Sequence, residues 1–498
     1  MSQTEQVPMS VRILTLLPLL LFIFSSCIEK DLYRGKETND SDDSEETISG
    51  SYEAYLYPFG NEIKNPVIEI LIETNGNLDL DKVDTEIPVL KYNKSWLFLL
   101  TQDDCKHAAY SRTWAAINGR PVSGSLVLPN GSEPELYYDA RQLYFGDTPP
   151  DSYLVGKTLG STDGAGNEVR FHFSTTIASE EEWMHAKTIV DKGFTDNYYR
   201  FYMKSGLIWE NVKEMLNYGT GIAFHDVLTE SVNNADSIAK HYIIAQDSIL
   251  KNLNGRGCKF LAEPNGNKTY ITAATGYKPI QTITLQNGGI KLYPFQVKND
   301  LAGSLIERVF YSPDENLKQN IQSLVKEKQE NRGAIAIGVH GTGKDWVDFL
   351  IWLNNNFGKD GDDSVWFPNQ EEYYEYNYYR IHSIITKTIS GNALKITIPL
   401  PSGQYFYYPS ITLNLKGLTD GNIKSIQAND AVSGLSHADY KEGTMINVDC
   451  RQFLKEHAEH YVEVYENNKS KTGLNDAIYF VNMLKDSQRK EALMERLK

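Results

Sequence analysis

Lys94-Ser-Trp-Leu-Phe-Leu-Leu-Thr-Gln-Asp-Asp-Cys105 is the stretch on which the reading of the fold turns. Its apolar run, Trp96 to Leu100, has the length of a strand buried on both faces. It stops abruptly at two adjacent acids, Asp103 and Asp104. A buried strand ending in a carboxylate pair puts charge at the carboxyl edge of a sheet or barrel. In parallel α/β folds that edge is where ligands bind and chemistry occurs. Turn chemistry is the competing account, because Asp is common after strands.

Later strand ends answer the acid pair. Gly219-Thr-Gly-Ile-Ala-Phe reads as a strand that delivers His225 and Asp226. Cys258-Lys-Phe-Leu-Ala runs into Glu263-Pro-Asn-Gly266, a turn signal. Ala334-Ile-Ala-Ile-Gly-Val reads as a strand ending at His340. Imidazole titrates near neutrality and suits proton transfer. Between these strands lie helical spacings, as in Leu207–Leu216, Ser237–Leu253 and Asp314–Gln329.

Thr101-Gln-Asp-Asp104 resembles the Thr-Phe-Asp-Asp motif of the polysaccharide deacetylases, the NodB-homology domain of carbohydrate esterase family four. The resemblance covers about residues 91 to 380. It implies an α/β fold, a distorted (β/α) barrel of polysaccharide-deacetylase type; the Gly, Pro, Asn and Tyr content and short alternating strands of about 119–178 add a β-rich insertion, and an accessory β-sandwich follows the barrel. It implies Asp103 as general base, Asp104 and His225 as ligands of a divalent metal of the zinc, cobalt or nickel class, and His340 as the acid for the leaving group. It further implies hydrolysis of acetyl groups on a polysaccharide. The family's second metal histidine would fall at Thr229, a poor ligand; His107, Asp226, Glu230 or water are the alternatives. Glu263 stands where the family has the arginine that braces the catalytic Asp. These departures keep a second reading open: a decayed deacetylase barrel that binds cell-surface glycan. Trp366, after Ser364-Val, is a candidate sugar platform, with core packing as its alternative.

Gly338-Val-His-Gly-Thr-Gly-Lys344 also satisfies GxxxxGK between a strand and a helix. Asp345 then occupies the place of the magnesium-binding Ser or Thr, so no nucleotide partner is expected. A net charge of −16 likewise points away from nucleic acid.

Residues 1–27 read as a lipoprotein signal peptide. Arg12 precedes an apolar run, Ile13–Phe24, that is too short to span a bilayer. Ser25-Ser26-Cys27 follows and resembles a lipobox, with Cys27 as the lipidated residue. The expectation is a lipid-anchored outer-membrane protein, periplasmic or surface-facing, with acetylated polysaccharide as its partner. Residues 28–50 are polar enough for a solvated tether. Segment 51–90 is β-patterned and expected to lie against the barrel or join the later β segment. From 381 to 450 period-two patterning returns and suggests a β-sandwich. The tail 451–498 is helical and charged, with His457 and His460 expected in solvent. Cys105, Cys258 and Cys450 make no disulfide framework and no zinc spacing.

Overall fold

The computed structural model describes residues 64–124, 152–185, 206–228 and 234–498. The expected tether, Cys27, Thr229 and Glu230 lie outside them. The fold is mixed α/β with parallel sheets. No helix among the described residues is long and apolar enough to cross a membrane.

The strand Trp96–Gln102 is buried at every position. Its alternate side chains enter different cores: Trp96, Phe98 and Leu100 one, Leu97 and Leu99 the other. Period-two geometry sends successive side chains to opposite faces, so an uninterrupted apolar run is what a doubly covered strand requires. Burial of each large side chain contributes about 1.5–3 kcal/mol.

This strand lies between Ile335–Val339 and Ser174–Thr176, both parallel to it. Gly221–Ala223 continues the sheet beyond Ser174–Thr176, and Val309–Phe310 pairs with Ile335–Val339 on the other side. A second parallel sheet holds Phe260–Ala262, Thr282–Leu285 and Leu305–Glu307. A parallel bridge, Phe224 to Leu261, links it to the first sheet. Ser174–Thr176 corrects the expected extent of the β insertion. Three small polar residues near its end are the second parallel strand, recognisable only by their pairing with Thr101 and Gln102.

Two four-stranded antiparallel sheets form the accessory part. Val67–Thr74 sits inside the first, paired with Ala393–Pro399 and Ile423–Ala428. Asp84–Glu86 pairs with Ser410–Lys416 in the second. Their inward residues, among them Ile68, Ile70, Ile396, Leu413 and Ile446, share one apolar cluster. The accessory sheets therefore begin before the parallel strands, at residue 67, and not at 381. The N-terminal β segment joins them.

The helix Gln370–His382 wedges between the two parts. Asn369 caps it, accepting from the Glu372 amide at 2.9 Å. Its first turn reaches the parallel strands: the Gln370 amide donates to Ser174 Oγ at 3.0 Å, and the Ile222 amide donates to Glu371 Oε2 at 3.1 Å. Glu371, Glu372 and Glu375 are all buried. Arg256 and Lys259 pair with Glu371, Lys259 also with Glu375, and Lys91 with Glu372. His172 Nδ1 adds a 3.0 Å contact to Glu372. Buried charges persist only when paired in this way.

The tail forms the helices Leu454–Asn468, Lys471–Asn482 and Gln488–Arg496. Asp476 receives Arg170 at 2.7 Å and Arg120 at 2.6 Å, and Tyr461 stacks on Phe480 at 4.1 Å. His457 is therefore buried and His460 half-buried, contrary to the solvated positions expected from helical spacing.

Candidate functional site

Register carries the key residues to one edge. Val339 pairs with Gln102, so Asp103 and His340 leave adjacent parallel strands at the same level. The Asp103 amide closes the ladder on the Val339 oxygen at 2.7 Å. Thr176 pairs with Ala223, and His225 follows two residues later.

Asp103 is fully buried. Arg308 Nη1 donates to its Oδ1 at 2.6 Å, and Arg308 Nη2 donates to the Glu263 oxygen at 2.8 Å. Sequence reasoning missed this arginine. Glu263, at the family's arginine position, pairs with Lys268 at 2.7 Å and accepts from the Gln286 amide at 3.0 Å. The brace comes from the single residue between Leu305–Glu307 and Val309–Phe310. An arginine next to Glu307 in the short β pattern 305–310 was the available signal. Asp103 Oδ2 has no hydrogen-bond partner among the described residues.

Asp104 and Cys105 both adopt left-handed backbone, with φ of 61° and 51°. That region is uncommon for non-glycine residues and is held here by surrounding contacts. The Cys105 amide donates to Thr176 Oγ1 at 3.1 Å, and the Leu207 amide donates to the Cys105 oxygen at 2.8 Å. Asp104 Oδ1 stands 3.4 Å from His225 Nε2, and Asp103 Oδ2 stands 3.9 Å from the same nitrogen.

His225 Nδ1 lies 2.7 Å from the Ala262 oxygen. A carbonyl only accepts, so Nδ1 carries the proton and Nε2 is turned to the carboxylates. Burial works against the charged imidazole, but the Asp103 charge and the Asp104 contact outweigh it and raise the His225 pKa. The His225 contact, opposed by partial burial and helped by the charges of His225, His340 and Lys106, holds the Asp104 carboxyl below its ordinary range.

In the neutral imidazole the Nε2 lone pair faces two carboxylate oxygens, an arrangement that fits a cation between them. Oxygen and imidazole donors suit zinc and similar divalent ions. Asp104 and His225 thus fit two positions of a metal shell. Among the described residues no group of three His, Cys, Asp or Glu side chains forms a metal site. His107 does not complete one: it is buried, with Nδ1 3.2 Å from Ser111 Oγ. Asp226 is exposed on the wall of the cleft.

A cleft of about 310 Å³ opens beside the pair, lined by Asp104, His225, Trp183, Glu180, Glu181 and Asp226. Trp183 is the aromatic side chain there. Trp366 is not in it: it is 2% exposed, packs edge-on to Tyr373 and Tyr376, and pairs with Leu97. Leu97 lies six residues before Asp103, about 20 Å away along a strand. Core packing accounts for Trp366.

His340 is exposed at the carboxyl edge of its strand, its main-chain oxygen accepting from Gln102 Nε2 at 3.2 Å. The loop after it is anchored, not open: buried Thr342 meets Thr113 Oγ1 at 2.9 Å, and its oxygen accepts from Arg112 at 3.2 Å. The structure thus brings Asp103, Asp104 and His225 together, sets His340 on the same edge, and leaves Trp366 in the core.

No curated protein matches the chain. A family model described as "Putative polysaccharide deacetylase" matches residues 68–498. That span takes in both the parallel strands and the accessory sheets, and the chain belongs to this polysaccharide deacetylase family.

Proposed function

We propose that this protein is a metal-dependent hydrolase that removes acetyl groups from a polysaccharide. What supports the reading is the meeting of Asp103, Asp104 and His225 at one carboxyl edge, with Arg308 behind the first. The two parallel sheets are read as a distorted (β/α) barrel whose strand ends surround this pocket.

Each residue has a role in the reading. Arg308 fixes Asp103 through Oδ1 and leaves Oδ2 to take a proton from the attacking water. His340 donates a proton to the departing sugar nitrogen or oxygen. The products are acetate and the freed amine or hydroxyl. Trp183 offers a face to a sugar ring in the cleft, the role sought earlier in Trp366. A divalent ion held by Asp104 Oδ1 and His225 Nε2 would supply Lewis acidity toward the acetyl carbonyl and a more acidic water. Lipid on Cys27 would tether the enzyme to the outer membrane, where acetylated glycans are met.

The test is acetate release by the purified full chain from chitin-like and acetylated-xylan oligomers, with zinc, cobalt or nickel. His340→Ala is expected to abolish release while the fold persists, and Asp103→Ala to abolish it together with a loss of stability from the stranded Arg308 charge. No release from wild type with any of these ions would overturn the catalytic reading. Glycan affinity without metal would then favour the decayed-barrel binder.

A further inference from the structure

Phe310 touches both halves of the proposed proton machinery. Its ring stacks on the His340 imidazole at 5.0 Å between centroids, with planes 29° apart. The Arg308 guanidinium lies 5.2 Å from the centre of the same ring. Arg308 in turn holds Asp103 Oδ1 at 2.6 Å. One phenyl ring therefore contacts both the exposed imidazole and the buried brace of Asp103.

The neighbouring strand is shaped to admit this ring. Phe310 pairs with Gly338, two residues before His340. A Cβ on Gly338 would come within 2.6 Å of Phe310 Cζ and 3.0 Å of Arg308 Nη1. Any side chain there must displace the ring, the guanidinium, or both. The glycine here serves close approach, not an unusual backbone conformation.

We propose that Phe310 is a positioning residue. It holds the His340 imidazole in register with the Arg308–Asp103 pair, so that acid and base face one substrate at fixed spacing. Exposed imidazole on a loop has several rotamers; a flat aromatic partner selects one. The proposal rests on the deacetylase reading for the roles of Asp103 and His340, but the contact itself does not.

The experiment uses the full chain, ¹³C-labelled at histidine, with the His340 signal assigned through His340→Gln. Phe310→Leu keeps apolar bulk and removes the ring. Its kcat for acetate release from a chitin oligomer is expected to fall about tenfold with KM nearly constant, since small misplacements of reacting groups carry such penalties. The His340 ring resonances should leave their wild-type positions as the ring current disappears. Phe310→Tyr should restore both readouts. Gly338→Ala, which disturbs the ring without removing it, should lower kcat in the same way if Phe310→Leu does not fold. Wild-type kcat with unmoved His340 resonances in Phe310→Leu would overturn the proposal. So would a loss carried by KM alone. If wild type releases no acetate, the deacetylase reading fails by itself, and the His340 resonances still decide the positioning claim.

Discussion

Arg308 and Asp103, 205 residues apart in sequence, form a 2.6 Å ion pair in which both side chains are almost wholly buried. Truncating one partner leaves the other charge stranded in a medium of low dielectric, at a cost of about 3–5 kcal/mol. Arg308→Met should therefore lower the urea midpoint sharply and abolish acetate release. Adding Asp103→Asn to Arg308→Met should recover part of the lost stability but none of the activity. Additive losses in the double variant would contradict the pairing.

Removal of metal should silence the proposed hydrolase reversibly. Dialysis against a chelator is expected to stop acetate release, and zinc, cobalt or nickel to restore it. Asp104→Ala and His225→Ala should each lower the bound metal measured by elemental analysis, because each removes one of the two side chains proposed, among the described residues, to hold the ion. Undiminished metal in both variants would place the ion elsewhere.

The two tryptophans should separate cleanly. Trp183→Ala is expected to raise KM about tenfold through loss of a stacking face, with a smaller loss of thermal midpoint than Trp366→Ala because Trp183 is only partly buried. Trp366→Ala is expected to cost about 3–5 kcal/mol of stability, as for other buried aromatics, while the folded fraction keeps its KM.

His457 should make the protein sensitive to mild acid. Burial first, then the charges of Arg451 and His460, push its pKa down to about 3. The unfolded chain binds that proton near the ordinary histidine value of about 6.5. Between those values the unfolded state holds more protons, so stability falls as pH falls, by up to about 1.4 kcal/mol per unit from this group. His457→Gln should flatten the decline of the urea midpoint between about pH 6 and pH 4 relative to wild type. An unchanged slope would show that other groups govern it.

The legible parts of the sequence were those where local pattern and tertiary role coincide. Trp96–Leu100 is apolar throughout because both faces are covered, and the residues just past strand ends mark the functional edge. That was enough to expect Asp103, Asp104, His225 and His340 just past strand ends, where the structure has them. Arg308 was not found because its partner is distant in sequence and the search for a brace looked in the turn at Glu263. Ser174–Thr176 was missed because a three-residue polar strand has no hydrophobic period to read. Trp366 was misjudged because pattern shows that a strand ends, not at which height in the sheet it lies. The helix Gln370–His382 mixes Glu and Tyr like a solvated surface, yet its three glutamates face Lys and Arg contributed by other segments.

That last helix bears on how the protein can be cut. Lys91 reaches both Glu372 and Ser410 Oγ, at 3.1 and 2.8 Å, and Lys259 spans Glu371, Glu375 and the Tyr405 oxygen. A fragment ending at 380 would lose Ser410, Tyr405 and the amides of Tyr407 and Tyr408 that cradle Glu375. The antiparallel region is thus no detachable module. Expression trials should vary the N-terminal start and keep everything from 64 onward in a single piece.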